Sequence, residues 1–141
     1  MASEEFSLPV KVYIEDTDAG GIVYHANYLK FMERARTEFI SQLGYHKPAL
    51  LDGGLLLVVH SMALEFKQAA TLAENLLATA AVKKVARTYV VFEQGVRKAV
   101  DESSICCRAD VKIACVEKSS LKPAPMPESL RQALLKNLPL N

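Results

Sequence analysis

Between residues 27 and 43 the chain keeps one rhythm, and almost everywhere else it keeps another. Tyr28, Phe31, Met32, Ala35, Phe39, Ile40 and Leu43 recur at steps of three and four, with Lys30, Glu33, Arg34, Arg36, Glu38 and Gln42 between them. That spacing lays a broad apolar stripe along one side of an α-helix. Gly44 stands just past the stripe, where a glycine readily ends a helix. Asn27 is a candidate N-cap, and the alternative start is a turn earlier, at Ile22.

Outside this segment the period falls to two. Residues 8–15 suit a first strand, carrying Val10, Val12, Tyr13 and Ile14. Residues 55–67 read as a second strand, with Met62, Leu64 and Phe66 on one side and Ser61, Glu65 and Lys67 on the other. Residues 75–85 and 88–98 follow. In residues 104–117, Cys107, Ala109, Val111 and Ile113 alternate with Cys106, Arg108, Asp110 and Lys112. Such alternation belongs to an antiparallel sheet covered on one face. Turns are expected at 69–74, 85–87 and 101–103. Beyond Pro123, Pro125 and Pro127, the leucines at 130, 134, 135 and 138 predict a short closing helix. One helical stripe suffices to cover one twisted five-stranded sheet, so the expected class is an α+β fold in a single domain over 1–141, with 122–141 as its proline-rich end. Such a sheet leaves an edge open, which pairing in a homodimer or homotetramer would close.

Composition narrows the partners. Lys and Arg number 17 against 16 acidic residues, a formal net charge of +1, which disfavours nucleic acid as the main partner. Residues 1–8 lack the apolar core of a signal peptide, and the longest greasy uncharged run, 53–63, is too short to span a bilayer. The expectation is a cytoplasmic protein without membrane insertion. Cys106, Cys107 and Cys115 are an odd set with neither a disulfide framework nor a zinc spacing, and read as reduced packing residues.

The reactive groups concentrate in Asp16-Thr17-Asp18-Ala19-Gly20-Gly21-Ile22-Val23-Tyr24-His25, directly ahead of the helix. A carboxylate beside the open N–H groups of a helix start is equipment for polarising and cleaving a carbonyl compound. Two acids spaced Asp-x-Asp also begin an EF-hand loop. Here the fifth position is Gly20 and the twelfth is Asn27, where that loop needs an acid, so no metal is expected. Gly20 and Gly21 open backbone angles closed to other residues, for a substrate's approach or for a plain tight turn.

This segment, with Tyr28 and Glu33-Arg34-Ala35-Arg36-Thr37-Glu38 after it, closely resembles the hotdog-fold acyl-CoA thioesterases. The nearest branch is the Tol-Pal-associated thioesterases, relatives of 4-hydroxybenzoyl-CoA thioesterase. Val10-Lys11-Val12-Tyr13, Thr88-Tyr89-Val90-Val91-Phe92 and Leu121-Lys122-Pro123 resemble the same branch, so the likeness spans nearly the whole chain.

The resemblance implies a long central helix wrapped by a five-stranded antiparallel sheet, and hydrolysis of acyl-CoA to a free acid and coenzyme A. By position Asp18 matches the family's catalytic aspartate. A carboxylate there either attacks the thioester carbonyl or draws a proton from water; the plainer reading is a cap for the Gly-Gly turn. Asp16 reads as a structural acid. His25 implies an imidazole lining the acyl site, or else a helix-start residue bonded to nearby backbone. The amides of Tyr24 and His25 would polarise the carbonyl. Tyr28, with Tyr13 and Phe31, reads either as pocket wall or as core. Lys83, Lys84 and Arg87, with Arg97 and Lys98 as a second group, are candidate contacts for the coenzyme A phosphates. His46 and His60 stay unassigned. No cofactor is implied beyond coenzyme A itself as part of the substrate, and acyl carrier protein is a further candidate partner. The alternatives are a hydratase or dehydratase on the same fold, or a carrier-binding protein with little turnover.

Overall fold

In the computed structural model, which describes residues 5–47 and 50–139, the two-residue rhythm becomes one antiparallel sheet. The ends of the expected domain (1–4 and 140–141) and positions 48–49 of the connector lie outside the described residues. The elements are β1 (Phe6–Lys11), α1 (His25–Gln42), β2 (Leu55–Phe66), β3 (Asn75–Val85), β4 (Tyr89–Lys98), β5 (Asp101–Glu117) and α2 (Glu128–Leu135). The strands lie side by side in the order β1-β3-β4-β5-β2, all antiparallel. The class is therefore α+β, with five strands and two helices. α1 is 18 residues long.

Three expectations about the strands and their turns are corrected. The first strand does not run over 8–15: β1 ends at Lys11, and Ile14–Asp16 forms a single 3-10 turn. The cause is local, because the Asp16 carboxylate accepts the Tyr13 N–H at 2.9 Å and folds the chain back on itself. In β5, Cys106 does not face solvent opposite Cys107; both are buried. Val96 pairs with Cys107 but Arg97 pairs with Ile105, so Cys106 is the extra residue of a β-bulge that breaks the alternation. The bulged Cys106 carbonyl accepts the Lys67 N–H at 2.8 Å, just past the end of β2. Burial pushes the Cys107 thiol up to about 11, which suits a packing residue. The hairpin turn expected at 101–103 falls at Ala99 and Val100 instead.

α1 seats its stripe on β1, β3 and β4. Phe31, Met32 and Ala35 are fully buried in one core with Ala78 and Ala80 of β3, a strand that α1 packs against. The Phe39 ring meets Phe6 and Phe92 edge-on, with centroids 5.9 and 5.7 Å away. Burying each large apolar side chain of this kind contributes about 1.5 to 3 kcal/mol. α2 forms where the closing helix was expected and buries Leu130 and Leu134.

One polar group interrupts this apolar layer. Gln94 of β4 points inward and is 2% exposed. Its Nε2 donates to the carbonyls of Met32 in α1 and Thr79 in β3, at 2.9 and 3.1 Å, while its Oε1 accepts Arg36 Nη1 at 3.0 Å. The amide thus stitches helix to sheet. Replacing Gln94 by Leu keeps the volume but strands a buried guanidinium and two carbonyls. Urea unfolding should show a loss of about 2 to 3 kcal/mol, and an unchanged midpoint would remove this network from the account of stability.

Candidate functional site

The loop between the 3-10 turn and α1 is built on Asp16. Its carboxylate is 5% exposed and bridges two elements: Oδ2 accepts the Tyr13 N–H, and Oδ1 accepts Nδ2 of Asn27 at 2.9 Å. Its main-chain carbonyl takes the Tyr24 N–H at 2.9 Å. Asn27 is thus not the N-cap but sits inside the first turn of α1, whose N-cap position is Tyr24. A side-chain amide that could have capped the helix instead ties it to the preceding turn.

Held at its base, the loop closes as a narrow arch. Thr17 and Val23 face each other as a bridge, the Asp18 N–H donates to the Ile22 carbonyl at 3.0 Å, and the Gly21 N–H donates to the Asp18 carbonyl at 3.1 Å. Gly21 has φ +81°, a conformation that side chains resist. At Gly20 the constraint is proximity, since a Cβ would lie 3.2 Å from Asp18 Oδ1. The arch is docked from outside, with the Val23 N–H bonded to the Ala70 carbonyl at 2.9 Å and Ile22 bridged to Thr71. Glu74 accepts the Thr71 N–H and hydroxyl, both at 2.9 Å, and lies 3.2 Å from Lys98, which braces this dock.

At the crown, Asp18 is exposed. Oδ1 accepts the Gly20 N–H at 2.8 Å, and Oδ2 has no partner among the described residues. The carboxylate is therefore oriented but only half engaged. The geometry combines the turn-cap and reactive-acid readings rather than choosing one.

α1 starts beside this arch with no side chain capping it. The expectation that the Tyr24 amide polarises a carbonyl is corrected, because that N–H is already bonded to Asp16. The N–H groups of His25 and Ala26 have no partner among the described residues, and they carry the partial positive charge of the helix start. The exposed His25 ring stacks near Tyr24, with centroids 4.6 Å apart, and meets Phe66 edge-on at 6.1 Å.

Phe66 is the residue that reading the strand pattern missed. It was grouped with Met62 and Leu64, but it stands 51% exposed at the end of β2, beside His25 and 6.0 Å from the Tyr28 ring. Nothing in a two-residue alternation marks which strand position will meet a helix start.

For Tyr28, read as either pocket wall or core, the structure gives the core placement. It is 3% exposed, its hydroxyl accepts the Ala70 N–H at 3.0 Å, and burial raises its pKa, so it belongs to the core and to the dock of the loop. The candidate phosphate contacts are not gathered here either. Lys83, Lys84 and Arg87 lie at or beyond the far end of β3, whereas the loop docks on the segment entering it. Lys83 lies eight positions along the strand from Asn75, roughly 26 Å. Lys83 is paired with Asp110 at 2.7 Å, and Lys84 and Lys112 flank the Tyr89 ring. Arg97 pairs with Glu5 at 2.7 Å. His46 meets the Ser41 hydroxyl at 2.8 Å. Among the described residues no cluster of three or more His, Cys, Asp or Glu is placed to hold a metal ion, and no helix is long and apolar enough to cross a membrane.

An oriented, half-free carboxylate beside an open helix start can be compared with known proteins. Residues 12–134 match the profile of the Thioesterase-like superfamily. The chain is 40% identical over 134 residues to "Acyl-CoA thioesterase YbgC" of Haemophilus influenzae, covering 94% of this chain and 96% of that one. It is 38% identical over 125 residues to "Acyl-CoA thioester hydrolase YbgC" of Escherichia coli, covering 89% and 92%. The crystal structure of a probable thioesterase from Bartonella henselae superposes with a TM-score of 0.76 at 30% identity, over 89% of this chain and all of that one. With the profile spanning the arch, the helix start and every strand from β2 to β5, this chain belongs to the thioesterase-like superfamily.

Proposed function

We propose that this protein is an acyl-CoA thioesterase in which Asp18 is the catalytic acid-base or nucleophilic group. The observation that carries the reading is the state of that carboxylate: one oxygen is fixed by the Gly20 amide, the other has no partner among the described residues, and the arch leads directly into a start of α1 that no side chain caps among them. The names of the full-length relatives supply the substrate class, an acyl-CoA thioester.

The chemistry follows from those parts. The free His25 and Ala26 amides draw electron density onto the thioester oxygen, a kind of stabilisation typically worth a few kcal/mol of barrier. Asp18 then takes a proton from water as the hydroxide adds to the carbonyl carbon. Alternatively its oxygen adds first, to give a mixed anhydride that water opens. In either case the carbon–sulfur bond breaks and the thiolate leaves with the bonding pair, to be protonated as coenzyme A. Thiolate leaves readily, so no strong general acid is needed. The His25 imidazole borders the reacting carbonyl, and Phe66 and Tyr24 form the apolar wall around it.

In this reading α1 is the central helix of a hotdog fold, and the chain works in the cytoplasm as a homo-oligomer. Neither a metal nor a redox group enters the steps, since coenzyme A arrives as part of the substrate. Acyl carrier protein is a second candidate donor of the acyl group.

Two acids in one loop allow a sharp test. Asp18→Asn should lower thiol release from a panel of short, long and aromatic acyl-CoAs at least about 100-fold, with urea stability within about 0.5 kcal/mol of the parent. Full activity in that variant refutes the assignment. Asp16→Ala should behave oppositely as a stability variant. Loss of a buried carboxylate that accepts two hydrogen bonds should cost about 2 to 3 kcal/mol in the same unfolding measurement.

A further inference from the structure

Beyond its base at Asp16, the arch that carries Asp18 is docked on one short shelf, residues 70–74. The Val23 N–H donates to the Ala70 carbonyl at 2.9 Å, and Ile22 is bridged to Thr71. The Ile22 carbonyl in turn accepts the Asp18 N–H at 3.0 Å, so Ile22 stands between the reactive residue and the shelf. The tip of the shelf has no apolar anchor, since Thr71, Leu72 and Ala73 are all exposed. Hydrogen bonds rather than burial therefore decide where it sits.

Nor is the shelf a turn that its own sequence favours. Thr71-Leu72-Ala73-Glu74 is closed by the Glu74 N–H on the Thr71 carbonyl at 3.2 Å, with Ala73 at φ +71°. A positive φ at the third residue of a turn is ordinarily taken by glycine, and an alanine persists there only when its surroundings hold it. From one side the Glu74 carboxylate clasps the turn. Its Oε1 accepts the Thr71 N–H and hydroxyl, both at 2.9 Å, and Lys98 Nζ of β4 lies 3.2 Å from Oε2. Partial burial alone would raise the Glu74 pKa, but the Thr71 and Lys98 bonds outweigh it, so the carboxyl is held below its ordinary value. From the other side the Tyr28 hydroxyl of α1 accepts the Ala70 N–H at 3.0 Å. The main chain of Val12 completes the frame, donating to the Glu74 carbonyl at 2.9 Å and accepting the Ala73 N–H at 3.0 Å.

We propose that Glu74 is a positioning residue for the thioesterase reaction: through Thr71 it holds the shelf on which the arch seats Asp18, while Tyr28 holds the same shelf from the helix side. This rests on the reading of Asp18 as the reacting group. Tyr28 belongs to α1, the helix whose first amides, those of His25 and Ala26, face the same place. The shelf therefore gives the acid and the amides one common reference, and loosening it lets the acid move relative to them.

Kinetics and amide exchange together test this. Glu74→Ala should lower kcat for acyl-CoA hydrolysis at least about 10-fold with KM within about threefold of the parent, as misplacement of a reacting group does. Glu74→Gln, whose amide oxygen still accepts from Thr71, should recover most of that loss. By hydrogen exchange followed by NMR, the Asp18 and Val23 amides of Glu74→Ala should exchange at least about 10-fold faster, while the Val90 and Phe92 amides of β4 keep their parent rates. In an Asp18→Asn background Glu74→Ala should remove no further activity, because it acts through Asp18. The proposal is overturned if Glu74→Ala keeps its kcat, if the arch amides keep their protection or all amides loosen together, or if the two losses multiply. Tyr28→Phe, which removes one hydroxyl from the shelf, carries the same readings should Glu74→Ala fail to fold. Full activity in Asp18→Asn removes the catalytic reading instead, and the exchange rates still tell whether Glu74 holds the arch.

Discussion

The apolar stripe of α1 is received by β1, β3 and β4, and the position of the loop ahead of it follows from how it is received. Phe31, Met32 and Ala35 are buried in one core with the alanines of β3, and the Phe39 ring meets Phe6 and Phe92 edge-on. Gln94 ties the helix to the sheet by bonding carbonyls on both layers. Because protein interiors are packed at crystal-like density, a helix so held has little freedom to slide or roll. Its N-terminus, with the open amides of His25 and Ala26, is thereby aimed at one fixed place.

The loop before the helix divides its two acids by environment. Asp16 is enclosed and fully engaged, bonding backbone on one side and Asn27 on the other. Asp18 stands in solvent with one oxygen occupied. A buried, saturated carboxylate positions neighbours and is poorly suited to exchange partners during a reaction. An exposed one with a free oxygen can do so, provided its rotamer is set in advance, and the Gly20 amide sets it. Gly20 and Gly21 therefore serve in two ways, one by leaving space beside Asp18 and the other by accepting a positive φ.

The half of the sheet that α1 does not cover has a different character. Phe66 of β2 meets His25 at the start of α1, and farther along the helix a groove is lined by Glu33, Arg36, Thr37 and Ile40 of α1 and by Leu57, Val58 and Val59 of β2. An open strand edge, an apolar trough and Arg36, a buried cation with no carboxylate within ion-pair distance among the described residues, occur together on this one side.

How much of this was legible beforehand depends on the range of the interaction concerned. Periodicity along neighbouring residues determined the class, the helix, the strands of the meander and the closing helix, because amphipathic patterns are local responses to one buried face. The Asp-Thr-Asp and Gly-Gly run likewise marked the loop and its candidate acid before any fold was known. What tertiary structure alone decided were pairings between distant segments: Asn27 drawn to Asp16 rather than capping its helix, the Tyr24 amide bonded to the Asp16 carbonyl, and Tyr28 turned into the core to meet Ala70. Phe66 beside His25, the bulge that buries Cys106, and the distance of Lys83 from the loop belong to the same group. A residue's type states which bonds it can make, whereas the partner it finds depends on which surfaces the packed chain brings within about 3 Å, and hydrogen-bond geometry admits little beyond that.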